Sequence, residues 1–298
     1  MYKRNEDFFK EWNEDMAYVL GFTTADGCIK DNNDLCFEIH QDDVEILEYI
    51  KKVMEIENPI TNTHYNNRDL VTLRVRSKTI CDDLILLNVT PRKTYTIVAP
   101  SFIPEDMFHH YIRGYWDGDG SISLYNHAKQ ITAIVAAKTA SEIYARQLSK
   151  ILESYNINTI IYNRPAKDIK HVELYELRII GKHIPKFSEF IYNDAPFYLK
   201  RKYDKFQELY NGRFVDCLIC GKKYYRTRIE REFCDSCQEL VVKGGSIKLE
   251  LITNVSSEII RHTLWYEYGG SKKKFKQLLK DIHNEDMIRS SMEIEVNV

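Results

Sequence analysis

No run of apolar residues in this 298-residue chain reaches the ~20 that a membrane-spanning helix requires. The opening stretch MYKRNEDFFKEWNED is too charged to serve as a secretory signal. An excess of charge is also missing: 42 Lys and Arg face 44 Asp and Glu, for a net charge of −2. Any polyanionic partner therefore has to be held by a local basic surface. Nor is there a disulfide framework, because Cys28, Cys36 and Cys81 are scattered, which suits buried thiols in a reducing compartment. These absences point to a soluble, intracellular protein. The length suggests two domains, or one duplicated domain with an appendage.

What is present is a repeat. VLGFTTADG (Val19–Gly27) and IRGYWDGDG (Ile112–Gly120) each carry a glycine, three residues, a small residue, an aspartate and a glycine. Both follow apolar, helix-forming sequence, and the two acids lie 93 residues apart (119 − 26). Gly21 and Ala25, like Gly114 and Gly118, are four apart and share one helix face, so two such helices can approach until their backbones touch. Asp26 and Asp119 then emerge side by side at the helix ends. Gly27 and Gly120 are expected to stop the helices in the left-handed conformation. A calcium loop does not fit DGDGSIS, since Ile122 and Ala128 stand where an EF-hand needs glycine and glutamate. A turn that ends a buried helix accounts for either copy alone, and far less readily for two copies in matching contexts.

The pattern around each copy repeats as well. Cys28–Lys30 and Leu35–Gln41 read as strands around the turn DNND, Asp42–Met54 as a helix, Pro59–Tyr65 and Leu70–Arg76 as strands, and Ser77–Leu87 as a serine-capped helix. In the second half, Ser121–Tyr125 and Gln130–Lys138 are strands, Ser141–Tyr155 a helix, Thr159–Arg164 and Val172–Ile180 strands, and His183–Tyr192 a helix. In LVTLRVR, Val71, Leu73 and Val75 point one way and Thr72, Arg74 and Arg76 the other. The second face suits readout of a nucleic-acid groove, and a solvated sheet face suits it equally. Lys138 and Arg178 are the basic candidates on the strands of the second half.

Together these features resemble the LAGLIDADG homing endonuclease family, whose name is this motif. The second copy is the closer match; in the first, Thr24 stands where the motif has an earlier aspartate. The resemblance covers about Asp15 to Tyr210. It implies an α+β fold, a duplicated αββαββα core with pseudo-two-fold symmetry and saddle-shaped antiparallel sheets, folded as a monomer. It further implies a divalent-metal-dependent endonuclease that cuts both strands of a long asymmetric DNA site, leaving short 3′ overhangs. On this reading Asp26 and Asp119, with the backbone of Ala25 and Gly118, hold Mg²⁺. Lys93 in PRKTYT and Lys202 in KRKYDKF assist the reaction, and Gln41 orders the water network, with its counterpart at Lys138 or Thr139. Neither end carries the Cys or Ser and His-Asn of splicing chemistry, so a free-standing enzyme is expected. The rival readings are a DNA-binding transcription regulator derived from this family and an intron RNA maturase.

From Cys217 the composition changes. Cys217 and Cys220 in CLIC, and Cys234 and Cys237 in CDSC, form two knuckles with thirteen residues between them, a spacing that suits a tetrahedral Zn²⁺ site. Ser256–Trp265 and Ser271–Asp281 read as two short helices. The expected domains are thus 1–100 and 101–212, the two halves, and 213–298, a zinc-binding and helical extension. Abundant Tyr, Asn, Ile and Lys suggest an AT-rich genome, bacterial, phage or organellar.

Overall fold

The structure, a computed structural model, describes residues 2–65, 67–100, 102–127, 130–166, 172–211, 214–217, 222–226 and 234–235. The chain divides into two compact units, Met1–Leu209 and Tyr210–Val298.

The first unit is α+β and duplicated. Its first half runs α1 (Glu14–Asp26), β1 (Gly27–Lys30), β2 (Asp34–His40), α2 (Val44–Val53), β3 (Thr61–Tyr65), β4 (Arg68–Arg76) and α3 (Lys78–Leu86). The second runs α4 (Phe108–Asp119), β5 (Gly120–His127), β6 (Gln130–Thr139), α5 (Glu142–Ser154), β7 (Thr159–Arg164), β8 (Leu174–Ile179) and α6 (Ile184–Tyr192), followed by α7 (Lys200–Tyr210). Each half builds one four-stranded antiparallel sheet, ordered β1-β2-β4-β3 and β5-β6-β8-β7. The expected order of elements is the observed one.

Local chemistry sets the boundaries. Asn13, Ser77 and Ser141 cap α1, α3 and α5 by accepting from the backbone N–H three residues on, at 2.8, 3.1 and 3.2 Å. Asn33 and Asn67, in the turns DNND and NNRD, take positive φ of 59° and 60°, a conformation asparagine tolerates better than most residues. The inner sheet faces carry Leu35, Phe37, Leu73 and Val75 in one half and Val135, Ala137, Leu177 and Ile179 in the other, all buried. The apolar stripes of α2, α3, α5 and α6 supply buried residues such as Leu47, Ile50, Ile80, Leu148 and Phe187. Cys36 and Cys81 are buried free thiols, as expected; Cys28 is exposed, because it alternates outward on β1.

At the centre lie α1 and α4, buried on nearly every side. A Cβ built on Gly21 falls 2.0 Å from the carbonyl oxygen of Tyr111, and one on Gly114 falls 1.9 Å from that of Tyr18. The two helices therefore touch backbone to backbone, as the small-residue spacing predicts. The expected left-handed caps are not found. Gly27 and Gly120 have φ of −73° and −74°, extended backbone that leads straight into β1 and β5. Glycine is needed there for room: a Cβ would fall 2.7 Å from the Thr23 oxygen in one half and 2.3 Å from the Trp116 ring in the other.

In the second unit β9 (Phe214–Asp216) and β10 (Lys223–Tyr225) form an antiparallel hairpin. The rings of Tyr210, Phe214 and Tyr225 cluster beside it with centroids 5.2–5.9 Å apart. The expected helices Ser256–Trp265 and Ser271–Asp281 lie outside the described residues. Among the described residues no helix is long and apolar enough to cross a membrane.

Candidate active site

The helix pair delivers Asp26 and Asp119 to one place. Each is the last residue of its helix, and a Cβ on Gly118 would lie 2.4 Å from Ala25 Cβ and 3.0 Å from Asp26 Oδ2, so the two helix ends are in contact. Both carboxylates reach solvent, yet the packed helices strip water from much of their surroundings. Burial raises the Asp26 carboxyl, against the pull of Lys202 and Lys93. Burial first, and then the nearby Asp26 charge, push Asp119 up to about 7. Asp119 also accepts a hydrogen bond from Tyr115. Two acids at two helix C-termini concentrate negative charge, because the helix dipoles point the same way.

Two lysines answer it, and the structure brings both to the aspartates. Lys93 opens a single 3-10 turn, Lys93–Tyr95, after Arg92 at φ 57°. Its Nζ donates to the carbonyls of Gly27 at 2.5 Å and Ala25 at 3.4 Å. Burial lowers its pKa, while Asp119, Cys28 and Asp26 oppose the shift. Lys202 lies in the first turn of α7 and is only 3% exposed. Its Nζ donates to the carbonyls of Trp116, Asp117 and Gly118 at 2.8, 2.7 and 3.0 Å. Burial lowers it to about 8.

Several supporting residues carry no signal in residue spacing. Asp117, the counterpart of Thr24, is buried and accepts from Tyr18 Oη at 3.0 Å and Leu199 N at 2.9 Å. Burial raises it to about 6. Arg201 grips Asp43 with two hydrogen bonds, at 2.5 and 2.6 Å, and so fixes the start of α7 to the first half. Arg113 is fully buried, donating to His110 Nδ1 at 2.8 Å and to the Ile191 carbonyl at 3.3 Å. Only Asp117 was hinted at, as the motif's earlier acid.

Gln41 is exposed in the 3-10 turn Gln41–Asp43 and hydrogen-bonds neither aspartate. Sheet register also corrects its counterpart. Gly27 pairs with Phe37 and Gly120 with Ala137, so Lys138 matches Glu38, Thr139 matches Ile39, and Gln41 matches Ser141, the buried cap of α5.

The outer sheet faces hold the remaining candidates. Arg74 pairs with Cys36 and Arg178 with Ala136, so the two arginines occupy the same register position in the two halves. Arg74, Arg76 and Lys138 are exposed, with Arg76 Nε 3.2 Å from Asp34. Arg178 is half-buried, ion-paired to Glu176 at 2.7 Å and stacked 4.6 Å from the Tyr162 ring centroid. Thr72 does not face solvent: it is 4% exposed, because it sits in a central strand between Glu38 and Thr61 on its two neighbours.

In the second unit, Cys217 and Cys234 are buried, and Cys234 N donates to Cys217 Sγ at 3.4 Å. Cys220 and Cys237 lie outside the described residues. Among the described residues there is no group of three or more His, Cys, Asp or Glu placed to hold a metal ion.

Residues 109–192 match the family model described as a LAGLIDADG-like domain. The chain is similar to I-DmoI in complex with DNA and calcium, at 13% identity over 68% of this chain and 99% of that one, with a TM-score of 0.44. It is similar to the homing endonuclease I-WcaI bound to its DNA recognition sequence, at 16% identity over 66% and 90%, with a TM-score of 0.45. It is also similar to the N-terminal LAGLIDADG domain of DUF199/WhiA, at 17% identity over 60% and 81%, with a TM-score of 0.41. No curated protein matches the chain.

Proposed function

We propose that this chain is a site-specific double-strand DNA endonuclease, with Asp26 and Asp119 at the centre of its active site. One observation carries the reading: two aspartates, one from each half of a duplicated fold, meet at the ends of two glycine-packed helices with a lysine beside each. A monomer that cuts both strands of a duplex needs one acid per strand and a shared place for both cuts.

The donor set at this site suits a hard divalent cation, since it offers carboxylate and carbonyl oxygens. Asp26 and Asp119, with the carbonyls of Ala25 and Gly118, would hold Mg²⁺. Bound there, the ion lowers the pKa of a coordinated water and neutralises charge on the phosphate. The protein's own residues supply the rest. The helix pair fixes the spacing of the carboxylates, Tyr115 orients Asp119, and the lysines offset the charge of the helix ends. Arg74, Arg76, Lys138 and Arg178 on the sheet faces would contact the DNA grooves and phosphates. In the second unit Cys217, Cys220, Cys234 and Cys237 would hold a structural Zn²⁺.

The test is cleavage of a randomised target library with Mg²⁺, by wild type and by Asp119→Asn, with the new ends sequenced. Ends that share one long motif, overlap by short 3′ extensions and vanish in the variant support the reading. Salt-sensitive retention of one DNA or RNA species without any ends would transfer the protein to the regulator or maturase class.

A further inference from the structure

The outer face of the second sheet carries an acid on a surface meant for a polyanion. Glu176 sits in β8 between Lys138 on β6 and Tyr162 on β7, and is only 5% exposed. A carboxylate covered to that degree needs charged partners. It has two: Arg178 Nε donates to Oε1 and Arg164 Nε to Oε2, each at 2.7 Å. Both guanidiniums also lie over the Tyr162 ring, 4.6 and 5.6 Å from its centroid. Burial pushes the Glu176 carboxyl up, but the hydrogen bonds from Arg178 and Arg164 more than offset it, and the group stays ionised. The first half has no such cluster. By register, Thr72, Thr61 and Thr63 stand where the second half has Glu176, Tyr162 and Arg164. Arg74, the counterpart of Arg178, therefore has neither that acid nor that ring beside it.

We propose that Glu176 is a specificity-determining positioning residue, which aligns Arg164 and Arg178 to read guanine at two neighbouring base pairs of the second half-site. The inference rests on the endonuclease reading above. A guanidinium carries five N–H donors in a fixed fork. With each Nε held by Glu176, each arginine keeps its two Nη groups, which have no other partner among the described residues. Those groups match the O6 and N7 acceptors of guanine in the major groove. One carboxylate holds both heads, so they lie close together, as neighbouring bases do at about 3.4 Å along a strand. Tyr162 fixes the planes of both. An unbraced arginine follows a phosphate as readily as a base edge. Glu176 also cancels one of the two positive charges, which weakens the sequence-independent hold on phosphates. The acid thus raises discrimination and lowers affinity.

The test is binding by the full chain, without divalent metal so that no strand is cut, to the duplex it selects from a randomised library. Wild type, Glu176→Gln, Glu176→Thr, Arg164→Ala and Arg178→Ala are compared on that duplex, on its single-substitution panel and on random-sequence DNA, each with its Tm. The wild type should select guanine at two adjacent positions. Each arginine variant should lose that preference at one of them, by about 10-fold or more. Glu176→Gln should lose it at both and bind random-sequence DNA about 3-fold tighter. Glu176→Thr, which puts the first half's residue in that place, should behave alike. Added to the double variant Arg164→Ala, Arg178→Ala, Glu176→Gln should leave base preference unmoved, because the acid acts only through the two arginines. A lower Tm and weaker binding to every sequence, with guanine preference intact, would make Glu176 a brace of the sheet alone and overturn the proposal. A wild type without guanine preference at adjacent positions would overturn it too, while leaving the endonuclease reading intact. A chain that selects no duplex sequence at all would overturn both.

Discussion

Tyr18 donates its hydroxyl to Asp117 at 3.0 Å, joining α1 of the first half to α4 of the second in a fully buried hydrogen bond. A hydrogen bond to an ionisable acceptor contributes about 1.5–3 kcal/mol. Tyr18→Phe should therefore lower stability by roughly that amount at pH 7, measured by urea unfolding.

The same cluster makes stability depend on pH in two opposing ways. The folded pKa of Asp117, about 6, is above its ordinary 3.8. Folding then favours the protonated form, so this group's contribution is full below about 4 and is lost as pH rises through 6. Asp117→Asn should gain on wild type across that window, by at most about 1.4 kcal/mol per pH unit. His110 behaves oppositely. Burial, together with the Arg113 charge, holds it neutral down to about 3, against 6.5 unfolded, so its contribution is present above 6.5 and lost as pH falls toward 3. His110→Gln should flatten the acid limb. Unfolding of both variants from pH 3.5 to 8 checks the two slopes; parallel curves for wild type and variants would refute them.

Backbone contact at Gly21 and Gly114 leaves no room for a methyl group. Gly21→Ala and Gly114→Ala should each destabilise by about 3 kcal/mol or more, as overpacking of a closed seam does. Gly181→Ala is the control, since a Cβ there meets nothing within 4 Å. Its Tm should stay close to that of wild type.

Most of this architecture is legible in the sequence, and the reason is period. Gly21, Ala25, Gly114 and Gly118 declare a close helix pair by their spacing of four, and LVTLRVR declares a strand by its alternation. What spacing does not encode is the third dimension. Thr72 alternates outward but is covered by Glu38 and Thr61, whose positions follow only from register. Gly27 and Gly120 looked like left-handed caps because an Asp-Gly ends each helix. Their strands begin at once, and the glycines instead make room for Thr23 and Trp116. The partners of Lys202 come from residues 84–86 positions away, which no local pattern connects.

Register equivalence of Arg74 and Arg178 predicts related base contacts at matching places in the two half-sites. Arg178, braced by Glu176 and Tyr162, should read more strictly than exposed Arg74. Arg178→Ala should relax preference at one position by about 1–3 kcal/mol, with guanine as the favoured base. Lys138→Ala should weaken binding to all sequences alike and reduce the salt slope by about 0.9. Binding of a single-substitution target panel at two salt concentrations distinguishes the two effects.

The paired cysteines predict about one Zn²⁺ per chain, measured by native mass spectrometry. Cys220→Ser or Cys237→Ser should lose the ion. Retention of the metal by both variants would show that the knuckles do not share it.

The central claim is that Asp26 and Asp119 form one site that cuts both strands. The most direct measurement is duplex cleavage with Mg²⁺ by Asp26→Asn and Asp119→Asn, each beside its affinity for the same target. Each single variant should lose the double-strand break and keep its affinity within about 3-fold, under 1 kcal/mol. A double-strand break at wild-type rate by either variant would contradict it.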